Sequence, residues 1–337
     1  MDYLNAEEVT DNDEIGRIIH KQILNEFCTG YILVGEERTC IPKYYLRFAD
    51  EIKNFEVKDD DIWVTSYMKT GTTWTQEMVW LIANNLDFKG AEENLNNRFP
   101  FLEFSTICDL SRQYEIMKVP QSERTLNTIE KAAKVKSPRF IKTHLPYSLL
   151  PDQIKNGIKT PKIVYVWRNP KDTCVSFYHH GILLEKWKID LETFAKLFMA
   201  DKVLYGSYWK HIFGYWNLRD SPNVLIIRYE DMKANLPSVI KKVAKFLGKE
   251  LTEEQIELLT KHLNFQSMRE NKAVNKEGYV NQLKENNLSI KDGRFMRSGT
   301  VGKYKEELSA ETIKKLDEWI KQNVSGTDFE KEYDFSL

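Results

Sequence analysis

A short stretch around residue 70 limits the folds open to this chain more than any other part of its sequence. Residues 62–67 read IWVTSY, and this run of β-branched and aromatic side chains predicts a buried strand. Residues 72–84 then carry apolar side chains at helical spacing, at Trp74, Met78, Leu81 and Ile82. Lys69 and Gly71 lie in the turn between the two. The pattern predicts a strand, a loop and a helix whose first free N–H groups form an anion site.

The loop differs from the common ATP-binding loop, G-x-x-x-x-G-K-[ST]. Its lysine, Lys69, precedes the glycine, and Ser66 stands in the place of the first glycine. Two interpretations of this stretch are open when it is taken alone. Either the loop binds a phosphate group, with Lys69 adding a full positive charge, or Thr70 or Thr72 simply caps the helix.

The composition is that of an ordinary globular protein. The chain has 337 residues, of which 42% are hydrophobic and 29% are charged, and its net charge is -1. We find no internal repeat and no Pro/Gly/Ser linker, so we predict one domain over residues 1–337. The balanced charge gives no indication of nucleic-acid binding, and any anion must therefore be held by local basic residues.

The N-terminus and the cysteines favour a cytoplasmic protein. The first residues, MDYLNAEE, are acidic and lack the apolar core of a signal peptide, and no later run is long enough to span a membrane. The cysteines are far apart and lack C-x-x-C spacing; they are Cys28, Cys40, Cys108 and Cys174. This spacing argues against a zinc site and against a secreted disulfide framework. We therefore expect a reducing compartment, no membrane partner and no metal.

Three further apolar runs predict buried parallel strands, at residues 140–141, 163–167 and 224–227. Helical patterns lie at residues 171–184, 194–218, 236–247 and 253–263. This alternation predicts an α/β fold with a central, mostly parallel sheet flanked by helices. Residues 272–293 are rich in Asn, Lys and Glu and poor in apolar side chains, which predicts a long loop or lid over the site.

Polar residues follow each predicted strand, at the edge where open α/β sheets bind their ligands. The segments are KTH at residues 142–144, RNPKD at 168–172 and RYED at 228–231. Arg168 and Ser176, which lies on the following helix, could both face an anion. A lone arginine at a strand end is as often an ion-pair residue. Several polar strand ends together favour a ligand site.

Four motifs in order resemble those of the cytosolic sulfotransferase family, whose members transfer a sulfuryl group from 3'-phosphoadenosine 5'-phosphosulfate (PAPS). They are KTGTTW at residues 69–74, KTHLP at 142–146, RNPKD with VS at 168–176, and RFMRSG at 294–299, with YEDMK at 229–233 before the last. The resemblance spans residues 44–319. It implies a P-loop-like cofactor loop, PAPS as cofactor with 3'-phosphoadenosine 5'-phosphate (PAP) as product, and a small acceptor hydroxyl or amine.

The resemblance implies catalytic roles for three side chains. Lys69 would contact the bridging oxygen and the sulfonate, and would stabilise charge on the leaving phosphate. His144 would be the general base, since a usual pKa near 6.5 suits proton removal from a hydroxyl. Lys142 would orient the acceptor and the sulfonate. A lone histidine is more simply a core residue, and it is the KTHLP context that favours catalysis.

The resemblance also implies the residues that bind the cofactor. Arg168, Ser176, Arg297 and the Gly299 backbone would hold the 3'-phosphate, the group that separates PAPS from ATP. Trp74 and Phe265 would pack against the adenine and Tyr229 would hydrogen-bond it, although core aromatics are the plain alternative. The rest of the set is Lys69, Thr70, Gly71, Thr72, Thr73 and Ser298.

The chain departs from the family pattern at several places. Ser298 stands where many members have a second basic residue, and the Leu-Asn pair at 263–264 replaces a Thr-Ser pair. The dimer signature K-x-x-x-T-V-x-x-x-E begins at Lys305 but lacks its final Glu, which is Lys314 here. A homodimer is therefore allowed but not assumed. Residues 85–136 are longer than in compact members, and residues 1–43 form an N-terminal extension.

An aromatic segment implies an apolar pocket for the acceptor. Phe101 and Phe104 match a pocket-lining segment of the family, and Phe177, Tyr178 and His180 would form the opposite wall. The alternative for each aromatic is the protein core. Phenols, steroids, retinoids and other xenobiotic alcohols all fit. A branch of the family that includes retinol dehydratase adds a second outcome, the net dehydration of an allylic alcohol through a sulfate ester.

Two other classes of function stay open. An ATP-dependent small-molecule kinase could use the same strand, loop and helix, but its magnesium would have only Asp172 and Asp231 as candidate carboxylates. A non-catalytic protein that stores a hydrophobic ligand would need none of Lys69, Lys142 and His144.

Overall fold

A computed structural model describes residues 2–290 and 292–335 of the chain. Its strands are β1 (Glu7–Glu8), β2 (Tyr31–Val34), β3 (Thr39–Pro42), β4 (Ile62–Ser66), β5 (Phe140–Thr143), β6 (Lys162–Trp167) and β7 (Val224–Arg228). The first three form an antiparallel sheet in sequence order, and the last four form a parallel sheet in the order β5-β4-β6-β7. The α/β fold and its four central strands are thus confirmed.

Helices surround both sheets. They are α1 (Glu14–Ile18), α2 (Ala49–Lys53), α3 (Thr72–Ala83), α4 (Leu95–Arg98), α5 (Leu110–Ile116), α6 (Thr128–Ala133), α7 (Asp152–Lys155), α8 (Pro170–Leu184), α9 (Leu191–Met199), α10 (Tyr208–Trp216), α11 (Tyr229–Ala234), α12 (Leu236–Leu247), α13 (Glu253–His262), α14 (Phe265–Glu270), α15 (Glu277–Glu285), α16 (Tyr304–Glu307) and α17 (Ala310–Val324). None of the helices in the described residues is both long enough and apolar enough to cross a bilayer.

The central sheet separates two hydrophobic cores. Along β6, Ile163, Tyr165 and Trp167 join one core, while Val164 and Val166 join the other. This alternation follows from the two-residue repeat of a strand. Helices α8, α9, α10 and α17 fill the first core, and α3, α12 and α13 fill the second. Because both faces are buried, the strands are continuous apolar runs rather than alternating ones.

The order of the strands fixes the place of the site. β4 is the first strand of the parallel sheet, and the chain next adds β5 on one side of it and then β6 on the other. The connections that leave β4 and β5 therefore diverge from the same edge. Such a switch point opens a crevice at the carboxyl ends of the strands. Residues after Ser66 and Thr143 face that crevice.

Residues 1–43, predicted as an N-terminal extension, contribute buried side chains to the first core from Leu4 onward. Ile32 and Val34 in β2 and Cys40 and Ile41 in β3 are buried and belong to the same core as Trp63. Met1, Ser336 and Leu337, which belong to the predicted domain of residues 1–337, lie outside the described residues.

One predicted helix, residues 194–218, is wrong as a continuous element. The structure has α9 and α10 there, separated by a segment in which Asp201 and Tyr205 take left-handed φ angles of 59° and 62°. That segment pairs with β3, since Cys40 N donates to the Gly206 carbonyl at 2.7 Å and Tyr205 N donates to the Cys40 carbonyl at 2.7 Å. Long-range pairing therefore overrides the local helical pattern.

The long loop predicted at residues 272–293 is also wrong, because α15 lies within it. Two apolar anchors three residues apart, Val280 and Leu283, are fully buried and hold this helix to the protein. The many charged neighbours mask so short an apolar stripe in the sequence. Lys291, which belongs to the predicted segment, lies outside the described residues.

A buried ion pair joins the opposite, amino edge of the sheet. Arg139 donates from Nε and Nη2 to the two oxygens of Asp61 at 2.8 and 2.6 Å, and both side chains are almost inaccessible. Nη2 also donates to the Glu56 carbonyl at 2.8 Å, and Lys58 N donates to Asp61 at 2.9 Å. The pair thus joins the start of β4 to the start of β5, and both oxygens of Asp61 accept hydrogen bonds.

We expect Arg139→Met to lower the free energy of unfolding by about 3 to 5 kcal/mol, because it leaves a buried carboxylate without its partner. Urea denaturation measures the change. Lys134→Met is the control, since Lys134 is 73% exposed in its pair with Glu130 and should contribute little. Equal losses in the two variants would contradict a structural role for the buried pair.

Candidate active site

A cavity of about 780 Å³ lies at the carboxyl edge of the parallel sheet. Most of the predicted site residues line it, although they are distant in the sequence. Those that line it are Lys69, Gly71, Thr72, Thr73, Trp74, Phe101, Phe104, Lys142, His144, Arg168, Ser176, His180, Tyr229, Phe265, Arg297, Ser298 and Gly299. The fold therefore brings the strand ends and the 294–299 segment together around one space.

Thr70 lies outside the lining of this cavity. Its hydroxyl donates to the Tyr67 carbonyl at 2.9 Å and to the Val166 carbonyl at 3.0 Å. Its side chain therefore holds the loop against the end of β6. The structure thus gives Thr70 a supporting position rather than one in the cavity wall.

Phe177 and Tyr178, predicted for the acceptor wall, also lie outside the lining. Phe177 is buried in the first core, with ring centroids 6.1 Å from Tyr67 and 5.5 Å from Phe194. Tyr178 packs 6.1 Å from Phe194. The cause is the helical repeat of α8, because Ser176, His179 and His180 lie on its cavity face while Phe177 and Tyr178 lie on another face.

The loop after β4 leaves a helix start free for an anion. Lys69 and Gly71 take left-handed φ angles of 67° and 111°, and Gly71 caps α3 without any side-chain hydrogen bond. The interpretation of Thr70 or Thr72 as the cap is therefore wrong. The Thr72 hydroxyl lies 2.7 Å from that of Ser66 instead. The first N–H groups of α3 stay open to a ligand in the cavity.

Gly71 cannot be replaced without moving its neighbours. A Cβ atom at this position would lie 2.7 Å from Cδ2 of Tyr229, and the φ of 111° already excludes most L side chains. The loop therefore packs directly against the Tyr229 ring.

Three of the lysines that line the cavity are close enough for their charges to lower pKa values within the group, and none of the three forms an ion pair with a carboxylate of the described residues; they are Lys69, Lys142 and Lys276. Burial, followed by the charges of Lys276, Arg168 and Arg297, lowers the pKa of Lys69 to about 7. Burial and the Lys276 charge hold the pKa of Lys142 well below its usual value. So much uncompensated positive potential favours a multiply charged anion.

His144 presents an unprotonated ring nitrogen to the cavity. Its Nδ1 lies 2.8 Å from the Ser66 carbonyl, which can only accept, so Nδ1 carries the proton and Nε2 carries the lone pair. Burial, followed by the Lys142 charge, holds the pKa of His144 well below its usual value. The ring is therefore neutral at pH 7 and able to accept a proton, although it is a weaker base than a free histidine.

Two buried side chains fix the backbone of His144. Glu103 Oε1 accepts from His144 N at 2.7 Å and from the Tyr205 hydroxyl at 3.2 Å. His211 Nε2 donates to the His144 carbonyl at 3.0 Å, while His211 Nδ1 accepts from the Tyr165 hydroxyl at 2.9 Å. His144 is thus held by its main chain on both sides, independently of any ligand.

Arg168 lies at one end of the cavity with part of its guanidinium unused. Nη2 donates to the Thr300 carbonyl at 2.9 Å, and the group lies 4.3 Å above the Tyr229 ring. Nε is buried and has no partner within the described residues. A buried donor without a partner is costly, so this atom points to a missing acceptor.

The segment at residues 297–299 forms the neighbouring wall. Gly299 has a φ of 64°, and a Cβ atom there would lie 2.2 Å from the Phe265 ring. Arg297 also faces the cavity, but its Nη1 donates to Glu307 at 2.6 Å. Trp74 and Tyr229 meet edge to face at 5.6 Å nearby, and Trp74 Nε1 is buried without a partner in the described part of the chain. This end offers aromatic faces beside cationic groups.

The other end of the cavity is largely apolar. Phe101 and Phe104 lie 5.8 Å apart, and Phe101 meets the His144 ring edge to face at 5.2 Å. The Lys142 ammonium lies 4.0 Å from the centroid of Phe101. Further apolar lining comes from the segment at residues 107–119, through Ile107, Tyr114, Met117 and Val119. A flat apolar molecule suits this end.

Neither of the two candidate carboxylates of a magnesium site lines the cavity. Asp172 is buried and accepts from Gly302 N at 2.7 Å and from Tyr304 N at 3.3 Å. Asp231 is exposed and lies outside the cavity lining. Across residues 2–290 and 292–335, no group of three His, Cys, Asp or Glu side chains is placed to hold a metal ion.

Two residues of the site were missed by sequence reasoning. Glu103 lies between Phe101 and Phe104 and reads as an ordinary polar position, although its carboxylate positions His144. Lys276 lies in a charged segment whose lysines read as solvated. Nothing in the sequence distinguishes Lys276 from the other lysines of this segment, and only the path of the chain brings its ammonium group close to Lys69 and Lys142.

Comparison with known proteins agrees with this geometry. A family model described as a sulfotransferase domain matches residues 59–328. Luciferin sulfotransferase of Photinus pyralis is 51% identical over 324 residues, which cover 96% of this chain and 88% of that protein. Sulfotransferase 1E1 of Bos taurus is 32% identical over 289 residues, covering 84% of this chain and 90% of that protein.

A solved structure supports the same assignment. Retinol dehydratase, in complex with androsterone and the inactive cofactor PAP, superposes with a TM-score of 0.85 and 32% identity, covering 96% of this chain and 97% of that one. The sulfotransferase domain model and these relatives each extend over most of the sequence. The chain therefore belongs to the sulfotransferase family.

Proposed function

We propose that this sulfotransferase moves a sulfuryl group from PAPS to the hydroxyl or amine of a small, largely apolar acceptor. One observation carries the proposal: a neutral histidine with a free Nε2 and unpaired lysines lie together between a cationic, aromatic end and an apolar end of one cavity. The first end suits a nucleotide with several phosphates, and the second suits the acceptor. PAPS, when bound, supplies the activated sulfuryl group.

Three observations support the binding of the nucleotide at the cationic end. The start of α3 has no side-chain cap, Arg168 Nε lacks an acceptor, and Trp74 Nε1 lacks one as well. We assign Arg168, Ser176, Arg297 and the Gly299 backbone to the 3'-phosphate. Ser298 and the loop residues Gly71, Thr72 and Thr73 complete that surface, and Trp74, Phe265 and Tyr229 hold the adenine. Arg297 would share its guanidinium with Glu307.

His144 is the proposed base. The lone pair on Nε2 takes the proton from the acceptor hydroxyl as its oxygen becomes the nucleophile. A proton held on Nδ1 by the Ser66 carbonyl keeps this tautomer in place. Its pKa, lowered by burial and by the charges of Lys142 and Lys276, keeps the base unprotonated at neutral pH.

Lys69 and Lys142 are the proposed electrostatic partners. Lys69, at the loop beside the free start of α3, offsets the negative charge that builds on the leaving phosphate oxygen. Lys142 lies close to both Phe101 and His144, so it can orient both the sulfonate and the acceptor oxygen. Neither lysine has to break an existing ion pair before it acts.

The acceptor is proposed to be an alcohol with an apolar, partly aromatic body, held by Phe101, Phe104 and His180. Androsterone and retinol are the ligands named in the structures of the related retinol dehydratase. Net dehydration therefore stays open as a second outcome if the acceptor is an allylic alcohol.

We also propose a cytoplasmic location, which is supported by four buried cysteines that are all free thiols.

The proposed function is tested by incubating the protein with PAPS and a panel of phenols, steroids and retinoids, with products identified by mass. We expect a sulfate ester, or the dehydrated product of an allylic alcohol.

Thermal unfolding gives a test that needs no turnover, because PAP without metal should raise the melting temperature. Protection by ATP with magnesium, but not by PAP, would instead indicate the kinase alternative.

We expect His144→Gln to lower kcat by about 100 to 10,000-fold, the usual contribution of a general base. The Gln amide can still donate to the Ser66 carbonyl, so the stabilisation by PAP should be unchanged. Steady-state kinetics and thermal shifts measure the two effects. His20→Gln is the matched control, since His20 lies outside the cavity lining and contacts the Val9 carbonyl. Wild-type turnover in His144→Gln would remove His144 as the base.

We expect PAP binding to take up protons near pH 8. Lys69, with a pKa of about 7, is mostly neutral at that pH in the free protein, and the charge of the bound phosphates raises its pKa. The affinity for PAP should therefore fall as the pH rises above 7. Calorimetry in buffers of different ionisation enthalpy measures the uptake.

The variant Lys69→Met should reduce this proton uptake without abolishing it, because Lys142 and Lys276 also have lowered pKa values. An affinity that is independent of pH between 6 and 9 would contradict this account of the cationic end.

A further inference from the structure

Lys276 occupies a strained position at the start of α15. It is the N-cap residue, its φ of 58° lies in the left-handed region, and its side chain does not cap the helix. A lysine gains nothing from such a backbone by itself, and strain of this kind is often found at functional sites. Lys69 shares the feature with a φ of 67°. Both ammonium groups lie over the Phe295 ring, at 4.4 Å for Lys69 and 5.0 Å for Lys276.

The Lys276 ammonium lies in the cavity, close to Lys69, Lys142 and His144. Burial lowers its pKa to about 8, and its charge in turn lowers the pKa values of Lys69, Lys142, His144 and His180. Within the part of the chain that the structure describes, Lys276 forms no ion pair. A half-buried cation among other cations is unfavourable unless a ligand neutralises it.

The helix that carries Lys276 belongs to the acceptor end of the cavity. Leu283 of α15 packs with Phe27, Cys108 and Leu110, next to Phe104. Tyr279 of the same helix donates to Gln113 of α5 at 3.4 Å. Helix α15 is therefore docked on the segment that supplies the apolar wall, whereas Lys69 comes from the cofactor loop.

We propose that Lys276 binds an anionic group on the acceptor, so that the preferred acceptors are aromatic hydroxy acids whose acid group lies close to the reacting hydroxyl. This inference rests on the proposed function. Lys69 and Lys142 already serve the transferred group, and a third cation delivered from the acceptor wall matches a second negative charge. The apolar surroundings strengthen such an ion pair relative to water.

The test compares hydroxybenzoic acids of ortho, meta and para geometry with their methyl esters, which keep the hydroxyl and remove the charge. We expect wild-type protein to prefer at least one acid to its ester. Lys276→Met should lower kcat/KM for that acid by about ten- to a hundred-fold, the usual range for a hydrogen bond to a charged group. The ester should change little. Lys276→Arg should keep the preference, and Lys261→Met, a 71% exposed lysine on α13, should behave as wild type.

Equal losses for acid and ester in Lys276→Met would overturn the inference, since they would place Lys276 on the transferred group. A wild-type preference for every ester would overturn it too.

Calorimetric titration of the acid into protein saturated with PAP separates this inference from the proposed function. Binding of the acid that weakens in Lys276→Met supports the inference, and unchanged or absent binding overturns it. Failure of the wild type to transfer sulfate from PAPS to any acceptor would contradict the proposed function itself.

Discussion

Uncompensated positive charge at the carboxyl edge of the sheet is the constraint on which the rest of the site depends. Lys69, Lys142 and Lys276 meet there without a carboxylate partner among the described residues, beside the open start of α3. A lowering of the Lys69 pKa from 10.5 to about 7 means that keeping this side chain charged costs on the order of several kcal/mol. Burial is the largest part of this cost and the neighbouring positive charges add to it, so the two cores on either side of the sheet must hold the loop in place in spite of it.

The surrounding structure meets that requirement mainly with main-chain contacts. Thr70 ties the loop to the ends of two strands, and Glu103 and His211 hold the backbone of His144. The Glu103 charge offsets part of the Lys142 charge, but none of these contacts is an ion pair with a lysine. The positive potential is therefore preserved for a ligand, while the groups that would use it are kept in position.

The fold and the residues of the cationic end could be anticipated from the sequence because both rest on local patterns. Apolar runs followed by Lys69, Lys142 and Arg168 mark the strand ends, and parallel strands bring those ends together. The acceptor end rests on long-range packing, which leaves no such signal. The sequence predicts Phe177 in the wall of the acceptor pocket, but the helical repeat of α8 places its side chain in the core. The sequence also suggests that Lys276 is a surface lysine, but it lies in the cavity.

The two glycine contacts at the cationic end have an evolutionary consequence. Gly71 touches the Tyr229 ring and Gly299 touches the Phe265 ring, so closely that a single added carbon at either site would displace an aromatic wall. In the cationic half, a substitution of either glycine therefore requires a compensating substitution of the aromatic residue that it contacts. The apolar half is assembled from segments distant in the sequence, such as α5 and α15, whose contacts are between side chains and can adapt to single apolar substitutions. A lineage built on this plan can therefore diversify its acceptors while its donor stays the same.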